Sequence, residues 1–230
     1  MGLRVVVVLA ITINYLHAWG QFVISAKSGL INYVEGLVLL SGEPVAAEPG
    51  ARLEMKEGSE LRVEDGRAEV LLNPGVFLRV GEKSTMRMVS NNLTDTRIEF
   101  VSGAAIIGPG RRLNAKENWA SGVSIVYQET IVHLRKNGIY RFDGEPGQLR
   151  VYAGEASVAR GEATQIAGAG ETIALANPGG VQEFDVTAMD SLGRWSKRRA
   201  AYISMAHESA VKRRSPGGVW PHAQIPILSH

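Results

Sequence analysis

Short runs in which apolar and polar residues alternate recur through the middle of this 230-residue sequence. Glycine and proline separate the runs, and the clearest lie between Gly58 and Ser84. Period-two alternation bounded by turn residues is typical of strands with one buried face. The pattern therefore predicts a chain built mainly of β-structure. Its apolar positions are Leu61 and Val63, then Val70 and Leu72, then Val76, Leu78 and Val80.

The alternating unit occurs twice. Residues 68–88 align with residues 122–142, and residues 97–105 align with residues 148–156. Apolar residues keep the same phase in both copies, and each copy ends in Gly-x-Ala. Two copies predict an all-β, two-lobed sandwich or roll, because a solenoid needs three or more repeats.

The predicted β domain spans residues 21–186, with a first lobe over about residues 30–108 and a second over about residues 120–176. Residues 30–40 are predicted to form one strand with a bulge at Gly36. Asn137-Gly138 predicts a type I′ hairpin turn, in which both central residues adopt positive φ.

The periodicity changes from strand-like to helix-like at Thr187. Thr187 and Asp190 resemble a capping box, and apolar or aromatic residues then follow at helical spacing. We predict one C-terminal amphipathic helix over residues 187–211 and a disordered tail over residues 212–230. The segment from 187 onward carries seven basic and two acidic residues, whereas residues 21–186 carry 17 basic and 21 acidic ones. The predicted face contains Leu192, Trp195, Arg199, Tyr202 and Ala206.

The first twenty residues have the pattern of a secretory signal peptide: a basic Arg4, an apolar run from residue 5 to residue 16, and the small-x-small sequence Ala18-Trp19-Gly20. We expect export to the periplasm or cell envelope, or secretion, with membrane attachment only if the segment stays uncleaved. The chain has no cysteine, so disulfides and thiolate metal sites are excluded.

Residues suited to catalysis are scarce in the predicted β domain. His133 is its one histidine and alternates with apolar neighbours on a predicted strand. The sequence contains no nucleophile elbow, zinc-protease motif, phosphate-binding loop or dinucleotide fingerprint. We therefore expect no enzymatic activity, no cofactor and no metal. A hydrolase centred on His133 is the third alternative, which would require polar residues converging in a pocket around it.

The basic helix supplies the candidate interaction residues. These side chains either contact an anionic lipid or polymer, or join the helix to the β domain while its cations stay solvated. Nucleic acid is not an expected partner, because export separates the protein from it. The candidates are Arg194, Trp195, Arg198, Arg199 and Tyr202.

The unit around Gly58–Ser84 resembles the FecR domain of bacterial regulators. A glycine-introduced strand, a Gly-Arg-Ala turn and strand, and a proline-containing turn follow one another at residues 57–63, 66–70 and 73–80, and residues 98–103 resemble the closing strand. Over about residues 26–210 the chain is similar to stand-alone exported FecR-domain proteins of soil bacteria such as Acidobacteria. Three further motifs carry this similarity: Pro74–Arg79, Leu93–Arg97 and Arg194–Arg199.

The resemblance implies a non-catalytic envelope domain that acts in signalling or as a scaffold by contacting another protein. A cytoplasmic anti-sigma segment, which the regulators carry, has no counterpart here, so anti-sigma activity is not implied. The alternative partner is a glycan or an anionic envelope polymer. An exposed row of Trp119, Tyr127, Tyr140 and Tyr152 would favour the glycan, and a bare sheet edge would favour a protein.

Overall fold

Two β-sheets packed face to face and one long helix make up the protein. Its structure is a computed structural model that describes residues 28–45, 53–110 and 119–214, with side chains up to Ser209. The predicted signal peptide at residues 1–20 and the tail beyond Arg214 lie outside the described residues. The all-β sandwich with a single C-terminal helix, predicted from the alternating runs, is confirmed.

Eight strands form the sheet on which the helix lies, here called the helix-side sheet. They follow the order β1-β5-β6-β9-β12-β13-β16-β17. Their bounds are β1 Leu30–Glu35, β5 Arg67–Asn73, β6 Val76–Val80, β9 Ala104–Pro109, β12 Ile139–Asp143, β13 Gln148–Ala153, β16 Glu171–Ala174 and β17 Val181–Glu183.

Nine strands form the other sheet, here called the distal sheet, in the order β15-β14-β11-β10-β8-β7-β4-β2-β3. A single 3₁₀ turn, Ala120–Gly122, precedes β10. The strand bounds are β2 Val38–Leu40, β3 Glu43–Pro44, β4 Glu60–Val63, β7 Ser84–Asn92, β8 Asp95–Ser102, β10 Val123–Tyr127, β11 Thr130–Leu134, β14 Glu155–Arg160 and β15 Ala163–Gly168.

The core lies between the two sheets and follows the alternation read from the sequence. All seven apolar positions of the Gly58–Ser84 runs are at most 1% exposed. Strand β6 is buried on both faces, because Phe77 and Arg79 point away from the core and are still only 5% and 1% exposed. The second covered face of β6 shows that a further layer lies outside the helix-side sheet.

Both predicted lobes contribute strands to both sheets. In the helix-side sheet β9 pairs antiparallel with β12, and in the distal sheet β8 pairs in parallel with β10. One continuous apolar core contains buried residues from the first half and the second half. The two copies therefore lie side by side as one sandwich with a shared core.

The repeated Gly-x-Ala sequence marks the point at which each copy crosses from one sheet to the other. Gly103 separates β8 from β9 with φ of +87°, and Gly154 separates β13 from β14 with φ of +97°. A Cβ atom at Gly103 would overlap Ser84, and one at Gly138 would overlap Ala153 and Gly154. Ser84 and Gly138 are equivalent positions in the two copies, so the same close approach occurs twice.

Different side chains hold the two crossings. In the first copy the Ala104 amide donates to Ser84 Oγ at 2.9 Å, and that hydroxyl donates to the Ala104 carbonyl at 3.2 Å. In the second copy the serine is replaced by Gly138, and the Tyr140 hydroxyl takes its place. It accepts from the Glu155 amide at 3.0 Å and donates to the carbonyl oxygens of Glu155 and Lys136.

Two local predictions were wrong for the same reason. At residues 30–40 and at Asn137-Gly138 the chain crosses from one sheet to the other, whereas the predictions kept it within one sheet. Residues 30–40 form β1 and β2 in opposite sheets, and Gly36, at φ of +76°, forms the corner between them. Asn137-Gly138 connects β11 to β12 across the two sheets, and neither residue has positive φ. Gly138 is required by close packing rather than by a type I′ turn.

The helix α1 spans Ser191–Arg214, so the predicted bounds of 187–211 were wrong at both ends and residues 212–214 are helical. Asp190, rather than Thr187, caps it: the Gly193 amide donates to Asp190 Oδ1 at 2.8 Å. Thr187 instead donates through its amide and hydroxyl to Asp185 Oδ1. In the described ranges no helix is long and apolar enough to span a membrane.

Candidate functional site

The helix α1 packs on the outer face of the helix-side sheet through two apolar side chains. Leu192 and Trp195 are 4% and 5% exposed and form a small cluster with Ile106 of β9. Trp195 also lies against Tyr33 of β1, with ring centroids 6.3 Å apart. This layer covers Phe77 and Arg79, which explains why β6 is buried on both faces.

A buried ionic cluster joins α1 to the sheet. Glu69 of β5 is fully buried and accepts from Arg79 Nε at 2.9 Å and from Arg199 Nη2 at 2.8 Å. Asn32 adds a third donor at 2.7 Å, and Arg79 Nη1 donates to Ser196 Oγ at 3.3 Å. One carboxylate thus faces two guanidinium groups. The pKa of Arg79 is lowered, and burial is the largest cause. The nearby Arg199 cation lowers it further, whereas the Glu69 carboxylate opposes the shift.

A second ionic cluster holds the start of α1. The Arg141 guanidinium donates to both oxygens of Asp190, at 2.7 and 2.8 Å, while its Nε donates to Asp143 at 2.8 Å. Asp190 thus caps the helix and accepts a bidentate arginine at once. The hydrogen bond from Arg141 is the main reason that the pKa of Asp190 falls from 3.8 to about 2.

The second cluster predicts that the stability of the protein depends on pH. We expect Asp190→Asn to lower the free energy of unfolding by about 1 kcal/mol at pH 7, because asparagine keeps the cap but loses a half-exposed ion pair. The pKa of Asp190 is depressed in the folded state, so its contribution is complete above about pH 4 and is lost as the pH falls towards 2.

Urea unfolding of both proteins at pH 7 and at pH 2.5 tests this expectation, and the difference between them should shrink at the lower pH. Asp95→Asn is the matched control, since Asp95 pairs with Arg97 on the exposed surface at 3.0 Å. A difference that stays constant with pH, or that matches the control, would contradict the assignment.

Beside the two clusters, an open groove of about 810 Å³ lies between α1 and the helix-side sheet. Its walls come from β6, β9, β12 and β13 on the sheet side, from one face of α1 on the other, and from connecting residues that include Trp119, Val186 and Met189. Most of the lining is apolar or glycine, and it includes the half-exposed side chains Ile139, Val186 and Met189. Among the described lining residues the charged ones are Arg79 and Lys197, both cationic.

The five predicted interaction residues point in different directions. Trp195 and Arg199 face the sheet, the former in the apolar contact and the latter bound to Glu69. Arg194, Arg198 and Tyr202 are exposed, with Tyr202 at 61%. In the alternative in which the helix packs on the β domain with its cations solvated, the packing of Tyr202 and the solvation of Arg199 were therefore wrong. The five do not form one site.

Sequence reasoning missed Arg79, Glu69, Arg141 and the groove. Glu69 and Arg79 are paired neighbours on β5 and β6, and each is a charge inside an otherwise apolar run. A charged residue inside an apolar run can therefore indicate that the outer face of the sheet is covered as well as the inner one. The groove residues are scattered among five elements and the segments that connect them, and they share no sequence pattern.

The aromatic residues considered for glycan binding do not form an exposed row. Trp119, Tyr127 and Tyr140 are 8%, 7% and 0% exposed. Tyr152 is half-buried and stacks edge-on against Phe184 at a centroid distance of 4.9 Å. The aromatic side chains of this set are therefore part of the core or of its margin.

His133 lies on the exposed outer face of the distal sheet, where its Nδ1 is 2.9 Å from Ser124 Oγ. It is not among the residues that line the groove. In the described parts of the chain, no group of three His, Cys, Asp or Glu side chains is placed to hold a metal ion.

One long sheet edge is bare. In the described chain β15 pairs only with β14, and its sequence Ala-Thr-Gln-Ile-Ala-Gly has neither charge nor proline. Ile166 on this strand is 51% exposed. The other edge strands are less open. β3 and β17 have only two and three residues. In β1, Leu30 forms a β-bridge with Glu54, and Tyr33 packs against Trp195 of α1.

The sequence matches no model of a known protein family, and no curated protein matches it. It is similar in structure to two crystal structures of a "putative anti-sigma factor" from Parabacteroides distasonis ATCC 8503, each with a TM-score of 0.42. The identities are 13% and 12%, and each match covers 56% of this chain and 61% of the other. The match thus spans less than two thirds of those chains.

Proposed function

We propose that this protein is an exported, non-catalytic module with a FecR-like domain that acts in envelope signalling or as a scaffold by binding another protein. The observation that supports a protein partner best is the bare edge of β15. The signal-like residues 1–20 support export, and the strand-and-turn order of residues 57–80 supports the FecR-like assignment.

An unprotected edge strand favours pairing with a strand of another chain. Proteins usually block such edges with charges, prolines, short strands or covering elements, and the other edges described above are short or contacted. β15 has six residues, and no strand of the described chain pairs with it on the side away from β14, although the amide of its last residue, Gly168, donates to Glu171 Oε2 at 2.6 Å. A partner strand added there would gain main-chain hydrogen bonds, with Ile166 as an apolar contact.

A lysine on the edge tests this proposal. Ile166→Lys places a charge on β15, and we expect it to reduce capture of the partner by about tenfold, equal to ~1.4 kcal/mol. The measurement is affinity capture from envelope extracts of the source bacterium, with the recovered proteins quantified by mass spectrometry. Fractionation of the same cells tests export.

Ile131→Lys provides the matched control. Ile131 is 39% exposed on the same outer face of the distal sheet, but it lies on β11, which is paired on both sides. The control should capture the partner as the unaltered protein does. Equal capture by all three proteins, or no reproducible partner, would contradict binding through the β15 edge.

The alternative function, binding to an anionic envelope polymer, has one observation in its favour. Arg194, Lys197 and Arg198 are exposed together on α1. The aromatic residues that would stack on sugars are interior, so a glycan is the less supported form of this alternative. Retention on purified peptidoglycan or anionic polysaccharide at low salt, lost at high salt, would favour the polymer over a protein.

A further inference from the structure

We propose that the groove between α1 and the helix-side sheet binds a linear anionic amphiphile, meaning an aliphatic chain that ends in a carboxylate. This site is independent of the proposed protein contact, since β15 lies in the distal sheet. The inference rests on two properties of the groove, its apolar surface and the sign of its charge, and on unpaired donors that two of its lining residues carry.

Three of the twelve exposed large apolar side chains in the described ranges lie together in the groove. Ile139, Val186 and Met189 are 41%, 40% and 38% exposed, and all three line it. Gly193 and Ala200 on α1 leave space between the helix and the sheet. A volume of about 810 Å³ lies within the range of small-molecule sites. Such a surface suits a flexible hydrocarbon better than a sugar.

Two buried donors on residues that line the groove have no partner among the described residues. They are Arg79 Nη2 and Trp119 Nε1, on side chains that are 1% and 8% exposed. A buried donor without an acceptor is costly, and native proteins rarely keep one. An oxygen-bearing head group that reached either of these atoms would supply the missing acceptor.

The charge of the groove selects an anionic head group. Arg79 and Lys197 line it, and no carboxylate does among its described residues. Glu69 is shared between Arg79 and Arg199, so the buried cluster behind the groove carries one positive charge in excess. A carboxylate at this end would balance that charge and form charge-assisted hydrogen bonds.

Calorimetric titration of the full chain with dodecanoate, kept below its micelle concentration, tests the proposal. We expect saturable binding of one molecule per chain. Decanoate should bind about fifteenfold more weakly, since each buried methylene contributes about fourfold. Dodecan-1-ol, which keeps the chain but lacks the charge, should bind at least about tenfold more weakly than dodecanoate.

Two matched pairs of variants locate the site. Ala200 lines the groove and its neighbour Ala201 is exposed elsewhere on α1, so Ala200→Trp should weaken binding by at least about tenfold while Ala201→Trp should not. Lys197 lines the groove and Arg198 does not. Lys197→Glu should weaken binding by about fivefold relative to Arg198→Glu, although both change the net charge equally.

Circular dichroism and thermal unfolding of all four variants show whether each has folded. If Ala200→Trp does not fold, the comparison of Lys197→Glu with Arg198→Glu decides. The proposal is overturned if no saturable binding occurs. That result is expected if another part of the chain or a second copy of the protein fills the groove. It is also overturned if each pair of variants binds dodecanoate equally, or if the alcohol binds as well as the carboxylate.

Discussion

Glu69→Ala should lower the free energy of unfolding by about 3–5 kcal/mol, because it leaves two buried guanidinium groups without their carboxylate. Glu69 is fully buried and accepts from Arg79, Arg199 and Asn32. The loss therefore combines repulsion between two cations with unpaired donors in a low-dielectric layer. The measurement is urea unfolding at pH 7, with the midpoint and slope compared to those of the unaltered protein.

The control for this variant is the exposed counterpart Glu99→Ala. Glu99 accepts from Arg87 at 2.7 Å, and both side chains lie on the open outer face of the distal sheet. An exposed pair contributes about 0–1 kcal/mol, so the two variants should differ several-fold in their effect. If Glu69→Ala costs no more than Glu99→Ala, the ionic cluster does not hold the helix to the sheet.

The second large effect is expected from Gly103→Ala, which we predict to cost at least about 3 kcal/mol or to prevent folding. Positive φ alone costs an L-residue about 1–2 kcal/mol. The added Cβ would also overlap the backbone and side chain of Ser84, and overpacking adds about 1–3 kcal/mol. The yield of folded protein and the urea midpoint are the measurements.

Gly42→Ala separates these two costs. Gly42 has φ of +89°, within a few degrees of Gly103 at +87°, but no atom lies within 4 Å of a Cβ placed there. It should therefore show only the backbone cost of about 1–2 kcal/mol. Equal destabilisation by the two variants would mean that the close approach of Gly103 to Ser84 contributes nothing.

The alternating pattern was enough to predict the class of fold and the inner face of its strands. Val76, Leu78 and Val80 face the core as their spacing requires. Alternation does not show which sheet a strand joins. For this reason the predicted bulge at Gly36 and the predicted hairpin turn at Asn137-Gly138 were wrong. Glycine allows positive φ and close backbone approach alike, so a glycine at a corner between sheets resembles one in a bulge or a hairpin.

The helix and the groove could be predicted only in part. Spacing placed Leu192, Trp195 and Arg199 on one face, and all three contact the sheet. Helical periodicity does not show how far along the helix the contact with the sheet continues. Tyr202 lies on the same predicted face, but it extends beyond the sheet into solvent. The groove depends on how far Gly193 and Ala200 stand from β9 and β12, which is a tertiary distance that no local pattern encodes.

The pairing of the two halves also determines when the chain can finish folding. Strand β8 needs β10, and β9 needs β12, so two strands of the first half keep an open edge until residues beyond Val123 are available. Chains synthesised from the N-terminus pass through this stage every time. Open edges on incomplete chains recruit strands from other molecules, so the period before Asp143 has been made is when an incomplete chain is most exposed to such pairing.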